Sequence, residues 1–112
     1  MTNLTNSVQL MGHLGADPKT HKFDNGNLKV SFSIATNDYY RDKNGERVEE
    51  TQWHNVVSFG KTAEVADKYL KTGSEVLLNG KLTTRQWEDK EGEKKYITEV
   101  IASQIQMINK KQ

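Results

Sequence analysis

Residues 51–73 read TQWHNVVSFGKTAEVADKYLKTG. Thr51 to Phe59 are rich in β-branched and aromatic side chains, the composition of a strand. Past Phe59 the period changes. Val65, Ala66, Tyr69 and Leu70 form one apolar stripe at helical spacing. Thr62 suits an N-cap with Glu64 in the first turn, and Lys71 and Gly73 suit the C-terminal end. The pattern predicts a helix over Thr62–Thr72, the one helical segment of the chain.

On both sides of this segment the dominant period is two. Val8, Leu10, Gly12 and Leu14 alternate with polar or smaller residues, as do Leu28, Val30, Phe32 and Ile34. Val76, Leu78, Gly80 and Leu82 repeat the pattern after the helix. Lys95 to Ile101 gives a last strand, which Ile105, Met107 and Ile108 extend. Asn25-Gly26 and Asn44-Gly45 are hairpin signals, because both residues tolerate positive φ. Asp89 to Glu93, containing Gly92, marks another tight connection. The Asn44 and Gly92 turns cap long polar segments that read as projecting β-hairpins. Five strands with one helix between the third and fourth describe an all-β fold, the five-stranded Greek-key barrel called the OB-fold. Gly12 and Gly80, inside strand patterns, mark bends that let short strands curl into a barrel. No repeat, linker or proline-rich tract interrupts residues 1–112, which read as a single domain.

Composition narrows the function. Of 112 residues 34% are hydrophobic and 28% charged, so a small core lies under a large solvated surface. The absence of cysteine excludes disulfides and thiolate metal sites and agrees with a reducing, cytoplasmic setting. The N-terminus lacks the basic start and apolar run of a secretory signal, and no stretch approaches the ~20 apolar residues of a membrane span. The formal net charge is +1, so any basic surface must arise from uneven placement of 16 cations among 15 anions.

Catalytic patterns are missing. Gly60-Lys61-Thr62 resembles the end of a P-loop, but Asn55 stands where its first glycine belongs. His13, His21 and His54 lack metal-ligand spacing and read as two surface histidines and one structural one. No paired carboxylates or nucleophile triad emerge. The reading is therefore not an enzyme, with no cofactor and no metal.

The aromatics carry the positive signal. Tyr40 enters the first projecting hairpin beside Arg41 and Lys43. Trp53 and Phe59 lie six residues apart on one strand and share a face with Asn55 and Val57, leaving His54, Val56 and Ser58 to supply core. Trp87 follows Arg85 by two residues on the second hairpin. Phe32 and Tyr69 read as core. Charge-flanked rings outside the core suit a partner with a π-face: any nucleobase can stack on them, and nearby Arg and Lys attract phosphates. A duplex hides its base faces, so such a surface selects single strands.

Several segments, LGADP, SIATNDYYRDKNGE, QWHNVVSFGKTAEVADKYLKTGS, GKLTTRQW and KKYITEV, resemble bacterial single-stranded DNA-binding proteins in order and spacing over residues 4 to 108. The resemblance implies an OB-fold that assembles as a homotetramer and coats single-stranded DNA in replication, recombination and repair, in the cytoplasm and at the nucleoid. It implies stacking on Tyr40, Trp53, Phe59 and Trp87, with Tyr40 where tryptophan is common. Backbone contacts are implied for Lys61 and Arg85, and for Arg41, Lys43 and Lys71. His54 matches a position associated with the subunit interface. Family members usually continue into an acidic tip that recruits other proteins. This chain reaches Gln112 through the basic MINKKQ, so tail-mediated partners are not expected of it.

Three alternatives stand beside this reading. A primosome accessory protein of the same fold would be dimeric and hold fewer stacking rings. An OB-fold nuclease would need clustered acids for metal-assisted cleavage. A protein-interaction module would bury Trp87 or Tyr40 in a partner.

Overall fold

The computed structural model describes residues 4–108; residues 1–3 and 109–112, and with them the expectation about the C-terminal tail, lie outside the described residues. After a 3-10 turn (Leu4–Asn6) come β1 (Val8–Leu14), β2 (Lys19–Lys22), β3 (Leu28–Arg41), β4 (Arg47–Phe59), α1 (Gly60–Tyr69), β5 (Glu75–Glu88) and β6 (Lys94–Ile108). The five expected strands are present, in order, with the helix where the change of period puts it. The sheet runs β1-β5-β6-β4-β3-β2, and β1 pairs again with β3 to close a barrel. β1 achieves this by bending: Val8 to His13 pair with β5, while His13 and Leu14 also pair with Ala35 and Ile34 of β3. β4 and β6 are joined in parallel at Val56–Val100 and Val57–Ile101.

Gly12 and Gly80 explain the bend. A Cβ on Gly12 would stand 2.2 Å from the Ala35 carbonyl oxygen, and one on Gly80 would stand 2.1 Å from that of Ile101. Both glycines let backbones approach where a side chain has no room. The β5–β6 register also slips by one residue at Asn79/Gly80. Inward-facing residues of the alternating strands form the core, with Val30, Ile34, Val56, Val76 and Leu78 almost wholly buried.

The helix departs from expectation at both ends. It begins at Gly60, with Phe59 as an N-cap that makes no side-chain capping bond, and ends at Tyr69. The Thr62 hydroxyl donates instead to the Ser103 carbonyl, tying the first turn to β6. The buried face is Ala63, Ala66 and Leu70, whereas Val65 and Tyr69 are exposed. Tyr69 is thus not core. Small alanines let the helix lie close on the barrel floor, and Val65 and Tyr69 of the predicted stripe fall to its side.

All three hairpins turn the same way. Phe23 and Asn27, Asp42 and Glu46, and Asp89 and Glu93 each close a five-residue loop by N–H···O bonds. Gly26, Gly45 and Gly92, at φ 91°, 80° and 82°, occupy the left-handed position of each. This is a turn followed by a one-residue bulge. Asp42 and Asp89 each accept two further backbone N–H bonds inside their own loops. Well-made turns hold the β3–β4 and β5–β6 arms out from the barrel. The Cα radius of gyration, 16.3 Å, exceeds the roughly 13 Å of a compact chain of this length.

β2 is an addition that sequence reading did not anticipate. All four of its residues, Lys-Thr-His-Lys, are polar and exposed, so no apolar alternation announces it.

Candidate nucleic-acid interface

The β3–β4 register is unbroken from Lys29–Phe59 to Arg41–Arg47, so residue parity fixes which side chains share a face. Val56 and Ser58 are buried on one face, and His54 on that face is half-buried with Nε2 2.9 Å from the Thr36 hydroxyl. Trp53, Asn55 and Phe59 lie on the other face and are exposed, with Val57 buried between them. The division of β4 into a core side and an outward side is as the spacing indicates.

The outward face opens on a groove. A cavity of about 560 Å³ is lined by Trp53, Asn55 and Val57 of β4, Ser31 and Ser33 of β3, and Arg85, Ile97 and Glu99 from the β5–β6 arm. Its near wall is the loop after β1, including Gly15 and Asp17. Trp53 is 61% exposed, and its ring lies against Gly15, where a Cβ would come within 2.6 Å of Cζ3 and Cη2. The Cζ3–Cη2 edge of the indole abuts the Gly15 main chain while much of the ring remains open.

Arg85 Nε donates to Glu99 Oε1 at 2.7 Å. The Glu99 side chain is only 7% exposed, against 53% for Arg85. The carboxylate thus lies under the groove and orients the guanidinium above it. Its hydrogen bond and its charge both hold the Arg85 pKa above the ordinary value. With Nε engaged, the remaining guanidinium N–H groups can meet a phosphate. Trp87 lies two residues on, with the parity of Arg85, opposite Lys95. It is 45% exposed, and Phe59 46%.

Other sequence-derived positions are more dispersed. Tyr40 is exposed, but opposite Val48 it has the parity of His54, on the reverse side of the ribbon from Trp53. Its neighbour Tyr39 has the parity of Trp53 and carries the Arg47 guanidinium 4.0 Å from its ring centroid. Arg41 Nη1 donates to the Gly45 carbonyl and braces the turn, on which Lys43 is exposed. Lys71 follows the helix beside Thr72, whose N–H and hydroxyl both donate to Asp17 Oδ1, so it stands at the groove's rim. Lys61 is in a separate hollow of about 590 Å³ between α1, β1, β5 and β6. The structure therefore gathers Trp53, Phe59, Arg85 and Trp87 on one side and leaves Lys61 and Tyr40 away from it. Sequence reading passed over Tyr39 and Glu99. Tyr39 could have been found by extending the parity of Trp53 back through the hairpin.

Among the described residues, one cluster of acids, Asp89, Glu91 and Glu93, could approach a cation. It is the tip of the second hairpin, where Asp89 already organises the loop. No described helix is long and apolar enough to cross a membrane.

The fold and this groove match known proteins. The model of the Single-strand binding protein family fits residues 5–108. The chain is 46% identical over 108 residues to Single-stranded DNA-binding protein 1 of Xylella fastidiosa, covering 96% of this chain and 79% of that protein. It is 42% identical over 107 residues to Single-stranded DNA-binding protein 1 of Chlorobaculum tepidum, covering 95% and 66%. Among solved structures, the Plasmodium falciparum SSB complex with ssDNA superimposes with a TM-score of 0.87 at 33% identity, over 93% of this chain and 95% of that one. A deletion mutant of the single-stranded DNA binding protein from Thermus aquaticus gives 0.82 at 31% identity, over 94% and 51%. A barrel closed at Gly12 and Gly80, with exposed indoles beside a braced arginine, and the match along nearly its whole length make this chain a member of the single-strand binding protein family.

Proposed function

We propose that the chain binds single-stranded DNA without reading its sequence and protects it during replication, recombination and repair. Its task is binding, not catalysis. The observation that carries this is Trp53: an indole mostly exposed, backed by the Gly15 main chain and facing a groove that Arg85 lines. A base stacked on such a ring gains about 1–3 kcal/mol without regard to its identity. In this reading Trp53, Phe59 and Trp87 stack bases. Tyr40 serves a stretch of strand that has passed round the first hairpin. Arg85 and Lys71 meet phosphates at the groove, with Arg41, Lys43 and Lys61 along the path beyond it.

One groove of this size holds only about 4–16 nucleotides, so several copies would multiply contacts on one strand. Met11 on β1 and Leu82 on β5 are about half exposed away from the groove and support self-association. We assign a homotetramer, with a dimer as the competing outcome, and His54 to a subunit interface. The setting is cytoplasmic, at the nucleoid, and residues 1–112 act as one binding domain.

Titration with oligo-dT tests this. Tryptophan fluorescence is quenched as bases stack, and log affinity falls with log salt with a slope of about −0.7 per phosphate contacted. Unquenched fluorescence, or equal affinity for duplex and single strand, overturns the reading. Native mass spectrometry of the free chain decides four copies against two.

A further inference from the structure

The outward face does not stop at Phe59. Register carries it across two more strands: Phe59 is opposite Lys29, and Lys29 is opposite His21. One step along, Val57, Ser31 and Lys19 form a parallel row. Alternate residues of β2 go the other way, for the Thr20 hydroxyl donates to Asp67 of α1 and Thr20 is paired with fully buried Val30. Lys19 and His21 are therefore committed to the groove side.

A second hollow, of about 340 Å³, is lined by Lys19, Thr20, His21, Phe23, Lys29 and Ser31. It shares Lys19 and Ser31 with the Trp53 groove, so the two adjoin. Phe23 is 39% exposed, and its ring meets the His21 ring edge-on at a centroid distance of 4.6 Å. Among the described residues, neither Lys19 nor Lys29 forms a salt bridge. Lys29 thus stands one strand spacing beyond β4, roughly 5 Å, and Lys19 with the His21–Phe23 pair about two, roughly 10 Å.

We propose that the β2–β3 edge is a further nucleotide subsite, in which a base packs on Phe23 and His21 while flanking phosphates meet Lys19 and Lys29. It rests on the single-strand reading and lengthens the path that reading requires. The placement follows from chemistry: an aromatic surface takes any base, and the lysines supply the counter-charge where the strand leaves Phe59. Among the described residues neither lysine is held in an ion pair.

The test compares the full chain with Phe23→Ala and with the double variant Lys19→Gln/Lys29→Gln. Short oligo-dT, covered by the Trp53 groove alone, should bind all three alike. Long oligo-dT should bind Phe23→Ala about fivefold or more weakly, with a shorter occluded length. The double variant should lose about 0.7 of salt slope per lysine. Its changes lie on exposed side chains, so it remains decisive if Phe23→Ala melts early. Equal occluded length, affinity and salt slope in a double variant whose parent binds oligo-dT overturns the subsite alone. A parent that does not bind oligo-dT overturns the function as well.

Discussion

The Trp53 indole rests on the Gly15 main chain so closely that a single added carbon at Gly15 would stand 2.6 Å from two of its ring atoms. The contact fixes the ring against the loop after β1 while most of its surface stays in solvent. A stacking ring held in place before DNA arrives loses less freedom on binding than one that must be ordered.

Gly15→Ala should therefore weaken single-strand binding without removing any DNA-contacting side chain. The ring must tilt or move, and the expected loss is a fraction of the roughly 1–3 kcal/mol that one stacked base contributes. Melting temperature should change little, because Gly15 is exposed. Trp53→Ala sets the upper limit. Oligo-dT affinity equal to the parent in Gly15→Ala would mean that the indole finds its working position without this support.

A different lesson comes from Arg85 and Glu99. The carboxylate is nearly buried under the groove and the guanidinium covers it at 2.7 Å. Glu99→Gln keeps the shape and removes the charge, so Arg85 should be less firmly oriented yet face less competition for a phosphate. Arg85→Ala takes the cation from the groove and leaves the carboxylate beneath it without its partner. Binding should fall and the salt slope should lose about 0.7 in Arg85→Ala, with the slope retained in Glu99→Gln. Identical slopes in the parent and Arg85→Ala would remove Arg85 from the phosphate path.

These pairs also indicate what a sequence can reveal. Trp53 and Phe59 were legible because even spacing on one strand sets their face, and the β3–β4 pairing has no bulge to disturb it. The helix was legible as an element but not at its ends, since Phe59 makes no side-chain cap and Thr62 bonds to Ser103 instead. Tyr69 misled because an apolar stripe states which residues could be buried, while the floor of this barrel accepts only Ala63, Ala66 and Leu70. β2 gave no signal, as an edge strand with both faces polar has no alternation. The Asn25-Gly26 turn nevertheless required a partner for β3, and four polar residues before Phe23 were the only chain available. Glu99 was hidden in KKYITEV, because no local pattern marks an acid that is buried by a distant arginine.

Acid should probe the link between the β1 loop and the end of the helix. Asp17 Oδ1 accepts the Thr72 N–H and hydroxyl, both at 2.8 Å. The backbone bond first and the hydroxyl second hold its pKa below the ordinary carboxylate value, with nearby Lys71 adding to the effect against a small opposing cost of burial. A carboxyl with a lower pKa folded than unfolded stabilises the fold above the unfolded value, about 3.9, and loses that contribution as pH falls through the folded value. Denaturation midpoints of the parent and Asp17→Asn should differ at pH 7 and converge as pH falls through the folded value, which lies below the ordinary one. A difference that stays constant over this range would show that the carboxylate's charge plays no part.

The last prediction concerns closure of the barrel. Gly80 lies at the one-residue slip between β5 and β6, and a Cβ there would meet the Ile101 oxygen at 2.1 Å, its carbon at 2.8 Å and the Ala102 Cα at 3.0 Å. All three atoms are main chain in a paired strand, so no rotamer change relieves the clash. Gly80→Ala must push β6 away, and Ala102, just beyond the contact, is core. Inserting a methyl into such a contact costs about 1–3 kcal/mol. A domain of about this size loses roughly 4–8 °C of melting temperature per kcal/mol. Gly92→Ala makes a useful comparison: no atom lies within 4 Å of its Cβ position, but φ is +82°, so only backbone strain at the hairpin tip is added. Gly80→Ala should melt lower than Gly92→Ala, with far-UV circular dichroism following both. The reverse order would mean that strand contact at Gly80 is more yielding than its main-chain geometry indicates.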